Sequence, residues 1–317
     1  MSENKHTIVT IGELLWDILP DRTILGGAPS NLAFRLNELG DECFLVSRVG
    51  NDTLGDNAMT ILKSFGLSTS FIQQDFQFPT GTVNVSFDRF KNPDYVINPN
   101  VAYDRIEITD DLLKITKITD CLAFGTLAQR SLKSRDTITK LLVNATKAIK
   151  FLDANLRKNC YTKKSIEHSL QFADVLKINH HEAWEMNQIF RLGASDIPKI
   201  TRELSIQFNI RTILVTMEEN GVFLFDKKEG ENYVPGYQIE LSDPLGSGDA
   251  FSAAFIHFSL QQKSLLEACI KGNQLGAAVA TTKGATTPVS KPDLKWISEN
   301  AKLNIDQTFL NYINESI

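Results

Sequence analysis

The chain is poor in cysteine, in basic clusters and in long apolar runs, and each shortage removes a class of protein. Its four cysteines, Cys43, Cys121, Cys160 and Cys269, stand far apart in 317 residues, and none forms a C-x-x-C pair. Paired cysteines are the usual sign of structural zinc, a dithiol redox centre or a disulfide framework, so isolated reduced thiols are expected. No Lys/Arg block stands out and the formal net charge is −5, which argues against a general nucleic-acid surface. Mild acidity still allows a nucleotide, because a pocket field is local and Mg²⁺ brings its own charge. The first apolar segment, Thr7-Ile8-Val9-Thr10-Ile11, is too short for a signal sequence or a membrane span. The expectation is a cytoplasmic protein with neither a membrane nor a nucleic-acid partner. Three glycine motifs are also absent: the phosphate loop G-x-x-x-x-G-K-[ST], a G-x-G-x-x-G after the first strand, and the G-x-S-x-G hydrolase elbow.

What is present is ordinary in bulk and specific in detail. Apolar residues make up 42% and charged residues 22%, enough for a sizeable core. Short apolar runs at 8–11, 42–49, 120–124, 149–153, 175–178 and 211–216 alternate with helical patterns at 29–39, 54–65, 133–148, 163–172 and 197–208. That alternation predicts an α/β fold: βαβ units, a mostly parallel central sheet and three layers. No linker or internal repeat divides residues 1–317, so one domain is expected. Two stretches, about 14–25 and 80–98, break the alternation. The second carries Val83, Val85 and Phe87 at a period of two. We read both as a small β sheet outside the main layer, a lid; the alternative is a surface hairpin without a role.

Ligands of such sheets bind beyond the carboxyl ends of the strands, and the polar motifs gather at predicted strand ends. Asp243-Pro244-Leu245-Gly246-Ser247-Gly248-Asp249 runs into the apolar run Ala250-Phe251-Ser252-Ala253-Ala254-Phe255. Glycines at a helix start leave backbone amides that, with the helix dipole, favour an anion such as a phosphate. Asp249 adds a base at the same spot, the pairing that phosphoryl transfer to a hydroxyl requires. Gly26-Gly27-Ala28-Pro29-Ser30-Asn31 opens an early helix with Pro29 in its first turn. The glycines permit close backbone approach, and Asn31 offers both donor and acceptor; a plain turn and cap is the other reading. Asp17 could accept from two neighbouring sugar hydroxyls. Asn155 and Arg157, at the end of a strand, could meet a hydroxyl and a phosphate. Asn179 and Glu182 share a helix face. They could organise hydrated Mg²⁺ or form a capping box. His180 and His181 invite a metal reading, but neighbours on a helix point about 100° apart, so a solvated pair is expected.

Together and in order, these residues resemble the PfkB, or ribokinase-like, family of sugar kinases over nearly the whole chain. The resemblance rests on Gly26 to Asn31, on Asn179 with Glu182, and on Asp243 to Asp249; with Asp17 and residues 153–157 it is nearest the fructokinase branch. It implies a ribokinase-like three-layer α/β/α fold with a small β lid. It also implies ATP-dependent phosphorylation of a primary hydroxyl of a free sugar, most simply fructose to fructose 6-phosphate. Asp249 would be the base and Gly246, Ser247 and Gly248 the anion-binding amides. Asp17, Gly26, Gly27, Asn31, Asn155 and Arg157 would hold the sugar. Asn179, Thr216, Gly221, Gly248, Asn273, Gly276 and Ala277 would face ATP, with Glu182 on Mg²⁺ and Asp243 on a monovalent cation such as K⁺. A homodimer through the lid is a further implication. Three positions depart from the family pattern: Glu218 stands where a glycine is usual, Pro244 where threonine is, and Ser247 where alanine is. The rival readings are another specificity (ribose, 2-keto-3-deoxygluconate or a nucleoside) and a non-catalytic sugar- or nucleotide-binding protein. An acidic sugar would want a cation, for which Arg89, Lys91, Arg105 and Arg157 are available.

Overall fold

The computed structural model describes residues 5–87 and 93–314; Arg89 and Lys91, and the middle of the 80–98 stretch, lie outside the described residues. The chain forms two compact units, 1–148 and 149–317.

The first unit contains β1 (Thr7–Ile11), β2 (Leu15–Ile18), β3 (Thr23–Gly26), α1 (Ala28–Glu38), β4 (Glu42–Gly50), α2 (Thr53–Ser64), β5 (Ile72–Asp75), β6 (Gly81–Phe87), β7 (Pro93–Ile97), α3 (Asp110–Ile118), β8 (Cys121–Phe124) and α4 (Leu132–Asn144). Strands β8, β1, β4 and β5 lie side by side and parallel. Ile8, Val9 and Ile11 of β1 are fully buried, the continuous apolar run that a parallel strand covered on both faces requires. Both sequence stretches that broke the alternation join one separate four-stranded sheet, in the order β3-β2-β6-β7. Helix α1 has Pro29 in its first turn, and Gly40 follows at φ 102°, so proline starts it and glycine ends it.

The second unit contains β9 (Ile149–Asp153), α5 (Lys163–Leu170), β10 (Val175–Asn179), α6 (His180–Phe190), α7 (Ile197–Phe208), β11 (Thr212–Thr216), β12 (Val222–Asp226), β13 (Gly230–Val234), β14 (Gly236–Tyr237), α8 (Ser247–Leu260), α9 (Leu265–Ala280), α10 (Lys291–Asn300) and β15 (Leu303–Asn304). Strands β9, β10 and β11 are parallel, whereas β12 and β13 turn back antiparallel. Ala250 to His257 of α8 are all buried; a helix apolar all round belongs inside the protein. Its first turn is thereby fixed against α9. Among the described residues no helix is long and apolar enough to cross a membrane, and all four cysteines are free.

Candidate functional site

In the first unit the structure brings four of the predicted sugar residues together. Asp17 lies in β2, opposite Ile24 of β3. Its carboxylate runs alongside Gly26, where an added Cβ would stand 2.6 Å from Asp17 Oδ2. Gly27 caps α1 at φ 111°, and a Cβ there would meet the Glu13 carbonyl at 2.4 Å. Both conformation and space therefore demand glycine. Asn31 follows in the first turn of α1, buried, with its amide bonded to the Gly27 carbonyl. The small sheet thus carries Asp17 next to the glycine corner that starts α1. Arg105 is committed elsewhere, its guanidinium stacked 3.5 Å from the Phe78 ring centre.

In the second unit the loop before α8 is built around Asp243. Asp243 Oδ1 accepts from the Leu245 amide at 3.0 Å, and Oδ2 accepts from the Gly284 amide at 3.1 Å, so one carboxylate ties two loops. Gly246 caps α8 at φ 80°. The first helical bond is Ala250 N–H to Gly246 O at 2.9 Å, so the Gly248 amide precedes the helical ladder. Ser247 differs from the expectation: its amide donates to Pro244 O at 3.2 Å, as its hydroxyl does at 2.8 Å. The turn at Pro244 therefore takes the Ser247 amide away from the cradle. Asp249 sits in the first turn of α8, half-buried.

Asn179 ends β10 and caps α6. The capping-box alternative is the one realised: Asn179 Oδ1 accepts from Glu182 N, and Glu182 Oε2 from Asn179 N, both at 2.8 Å. Glu182 Oε1 accepts from Leu156 N at 2.6 Å. Burial and then the charge of Asp153 push the Glu182 carboxyl upward. This donor set fits hydrated Mg²⁺, because each oxygen keeps a lone pair and a divalent charge nearby would relieve that push. Thr216 pairs with Asn179 across β10 and β11. Gly221, at φ 87°, would carry a Cβ 2.1 Å from Val234 O. Glu218 has φ 52°, a left-handed backbone at a residue that is not glycine.

Packing corrects one expectation and gives protein partners to two further candidate residues. The rings of His180 and His181 do not diverge but touch, with centres 3.8 Å apart. With Glu218 they place one donor atom each within 4.8 Å of one another. Asn273 Nδ2 donates to Val234 O and Pro235 O at 3.1 and 3.0 Å, an anchor for the end of β13. Gly276 faces α8, where a Cβ would lie 3.1 Å from Ser247 O; its small size serves helix contact. Ala277 is half-buried one residue on. Asn155 lies beyond β9 at φ 40°, and Arg157 is exposed.

The residue that sequence reasoning passed over is Lys177. It lies in β10 between apolar neighbours and is only 8% exposed. Its ammonium donates to Asp153 Oδ2 at 3.0 Å. Burial alone would lower its pKa, but the charges of Asp153, Glu182 and Asp249 more than offset this and hold it protonated. A lone lysine inside a buried strand was the available signal, since such a residue needs a partner.

A half-buried carboxylate thus stands in the first turn of a buried helix, near a buried cation, on an α/β fold. The comparisons give the family: residues 21–292 match the model of the pfkB family of carbohydrate kinases, and the chain belongs to that family. An uncharacterized sugar kinase of Pyrococcus horikoshii is 29% identical, over 90% of this chain and 94% of that one. A structure of that protein in complex with ATP aligns with a TM-score of 0.77 at 25% identity, covering 92% and 99% of the two chains. A probable fructokinase of Arabidopsis thaliana is 26% identical over 91% and 96%. A double mutant of the Vibrio cholerae fructokinase, solved with fructose, ADP and a potassium ion, shares the fold at 21% identity. Its TM-score is 0.79, with 94% of this chain and all of that one covered. The fold is therefore ribokinase-like, and the protein is a sugar kinase.

Proposed function

We propose that this kinase transfers the γ-phosphoryl group of ATP to the primary hydroxyl of a free sugar, with fructose as the preferred acceptor. The observation that carries the reading is Asp249 in the first turn of α8, directly after the Gly246 cap at φ 80°. A carboxylate there can take the hydroxyl proton. The hydroxyl oxygen then bonds to phosphorus as the bond to the ADP oxygen breaks, and the proton ends on Asp249. The amides of Gly246 and Gly248 meet the charge on the phosphoryl oxygens; such donors are worth about 3 kcal/mol each in other enzymes. Asp17, with Gly26, Gly27 and Asn31, holds the sugar; Asn155 and Arg157 complete its contacts. Residues 14–25 and 80–98 serve as the lid of a single kinase domain and exclude water, the competing acceptor.

Asn179, Thr216, Gly221, Asn273, Gly276 and Ala277 form the ATP side. Glu182 would hold Mg²⁺, which would supply charge neutralisation on the phosphates. Asp243 and the carbonyls near Leu245 and Gly284 take a monovalent cation; the bridge from Asp243 to Gly284 supports this by bringing the two loops together. Relatives bearing the fructokinase name support fructose. The test is ADP release from the purified protein over a panel of free sugars, sugar acids and nucleosides. The highest kcat/KM is expected for fructose. A best substrate among sugar acids or nucleosides would transfer the reading to a rival specificity, and ligand binding without ADP release would favour a non-catalytic binder.

A further inference from the structure

Gly248 is the glycine of the α8 loop that backbone geometry does not explain. Gly246 needs its left-handed φ of 80°, whereas Gly248 is not among the positive-φ residues. What its missing side chain makes room for is Lys177: a Cβ on Gly248 would stand 3.2 Å from the Lys177 ammonium. That is tighter than ordinary van der Waals contact, so a methyl group there would require the cation to shift by a few tenths of an ångström. The ammonium thus rests against the first turn of α8, one residue from Asp249. It is held there by Asp153 at 3.0 Å. The same Asp153 oxygen receives the Ser252 hydroxyl at 3.3 Å, and that hydroxyl also bonds Gly248 O at 3.0 Å. Lys177, Asp153, Ser252 and Gly248 therefore form one buried assembly that joins β9, β10 and α8.

A structural ion pair alone would be a costly way to join these elements, because burying two charges costs several kcal/mol per ion before their attraction is counted. Its placement has another use. A positive charge fixed beside a helix N-terminus, in a site shielded from water, acts on developing negative charge without reorganising. We propose that Lys177 supplies a fixed positive charge to the phosphoryl-transfer site, carried through the side-chain-free gap at Gly248, with Asp153 as its anchor. The inference rests on the function proposed above.

The test compares turnover in four proteins: the parent, Lys177→Gln, Asp153→Asn, and the double variant Asp153→Asn/Lys177→Gln. The parent's sugar-dependent ADP release tests the proposed function by itself; the ratios among the proteins test the role of Lys177. Lys177→Gln is expected to lose at least about 100-fold in kcat, the scale of one preorganised electrostatic group, with the sugar KM within about threefold. A merely structural lesion would instead lower the active fraction or move both constants. If Lys177→Gln does not fold, the double variant decides, because it leaves no buried charge of the pair without its counterpart. It should fold, and it should remain at least about 100-fold slow, while Asp153→Asn stays within about tenfold of the parent. A double variant at parent turnover would overturn the inference. So would Asp153→Asn as slow as the double variant, since the loss would then belong to Asp153. A second measurement is Gly248→Ala: its effect on kcat should shrink in the Lys177→Gln background, and fully independent effects would count against the assignment.

Discussion

At Gly246 a single residue sets the direction of the α8 loop. Its φ is 80°, and an added Cβ would stand 2.5 Å from that of Ala285. Gly246→Ala therefore combines left-handed strain with overpacking and should cost about 2 to 4 kcal/mol in urea unfolding. Glu218 has the same backbone problem without glycine's freedom. Glu218→Gly should leave stability unchanged or better and lower the KM for ATP about threefold by removing a negative charge from the nucleotide loop. His180 gives a pH signature. Burial, followed by the neighbouring His181, pulls its imidazole below the ordinary value near 6.5. The unfolded chain then takes up the proton first, so this group's contribution is present above about pH 6.5 and is lost as pH falls through its lowered native value. The thermal midpoint of His180→Gln should fall less than the parent's between pH 7.5 and 5. Glycine positions of this kind were legible in the sequence because their requirement is local. Lys177 was not, because its meaning depends on Asp153 and Gly248, 24 and 71 positions away in the chain.

Elements were legible where a pattern has one physical solution. The parallel strands β1, β4, β8, β9, β10 and β11 appear as apolar runs, and α1, α2, α5 and α7 as periodic segments with caps. The turn-back of β12 and β13 was not read. Val222 to Phe225 is a continuous apolar run, which looks the same in either direction; β12 reverses in the turn that holds Glu218 at φ 52° and Gly221 at φ 87°, and β13 in the turn ending at Gly230, φ 80°. The capping box of α6 shows the opposite limit. Asn179 and Glu182 were seen to share a face, but the sequence could not choose between metal support and cap, and the structure forms the cap while leaving lone pairs for a hydrated ion. Asp52 shows what a cap contributes. It accepts from Gly55 N at 2.8 Å, Thr80 N at 2.8 Å and Thr80 Oγ1 at 2.7 Å. Burial opposes its ionisation, yet these bonds together hold its pKa below the usual carboxylate range. Asp52→Ala should cost about 2 kcal/mol at pH 7 by loss of the cap and of buried donors' partners. The penalty should fade as pH drops through the lowered native pKa.

The whole molecule was legible as a class and a family, since three separated motifs stood in order, each at a strand-to-helix junction. Its substrate was less so, because the side chains proposed to hold the sugar, around Asp17 and Asn31, follow no pattern that names one acceptor. Two predictions belong to this scale. Turnover in potassium should exceed turnover in tetramethylammonium if the loops joined by Asp243 hold a cation; equal rates would remove that role. Sedimentation should give a dimer rather than the 35.4 kDa monomer, because β3 and β7 are the outer strands of the lid sheet and outer strands invite pairing. The central claim is narrower than either: one carboxylate at the start of α8 takes the sugar's proton. Asp249→Asn keeps the shape and removes the base. Measured as sugar-dependent ADP release by the folded variant, with fructose and ATP saturating, kcat should fall by about 10²- to 10⁴-fold. A folded Asp249→Asn protein turning over at close to the parent rate would contradict the account.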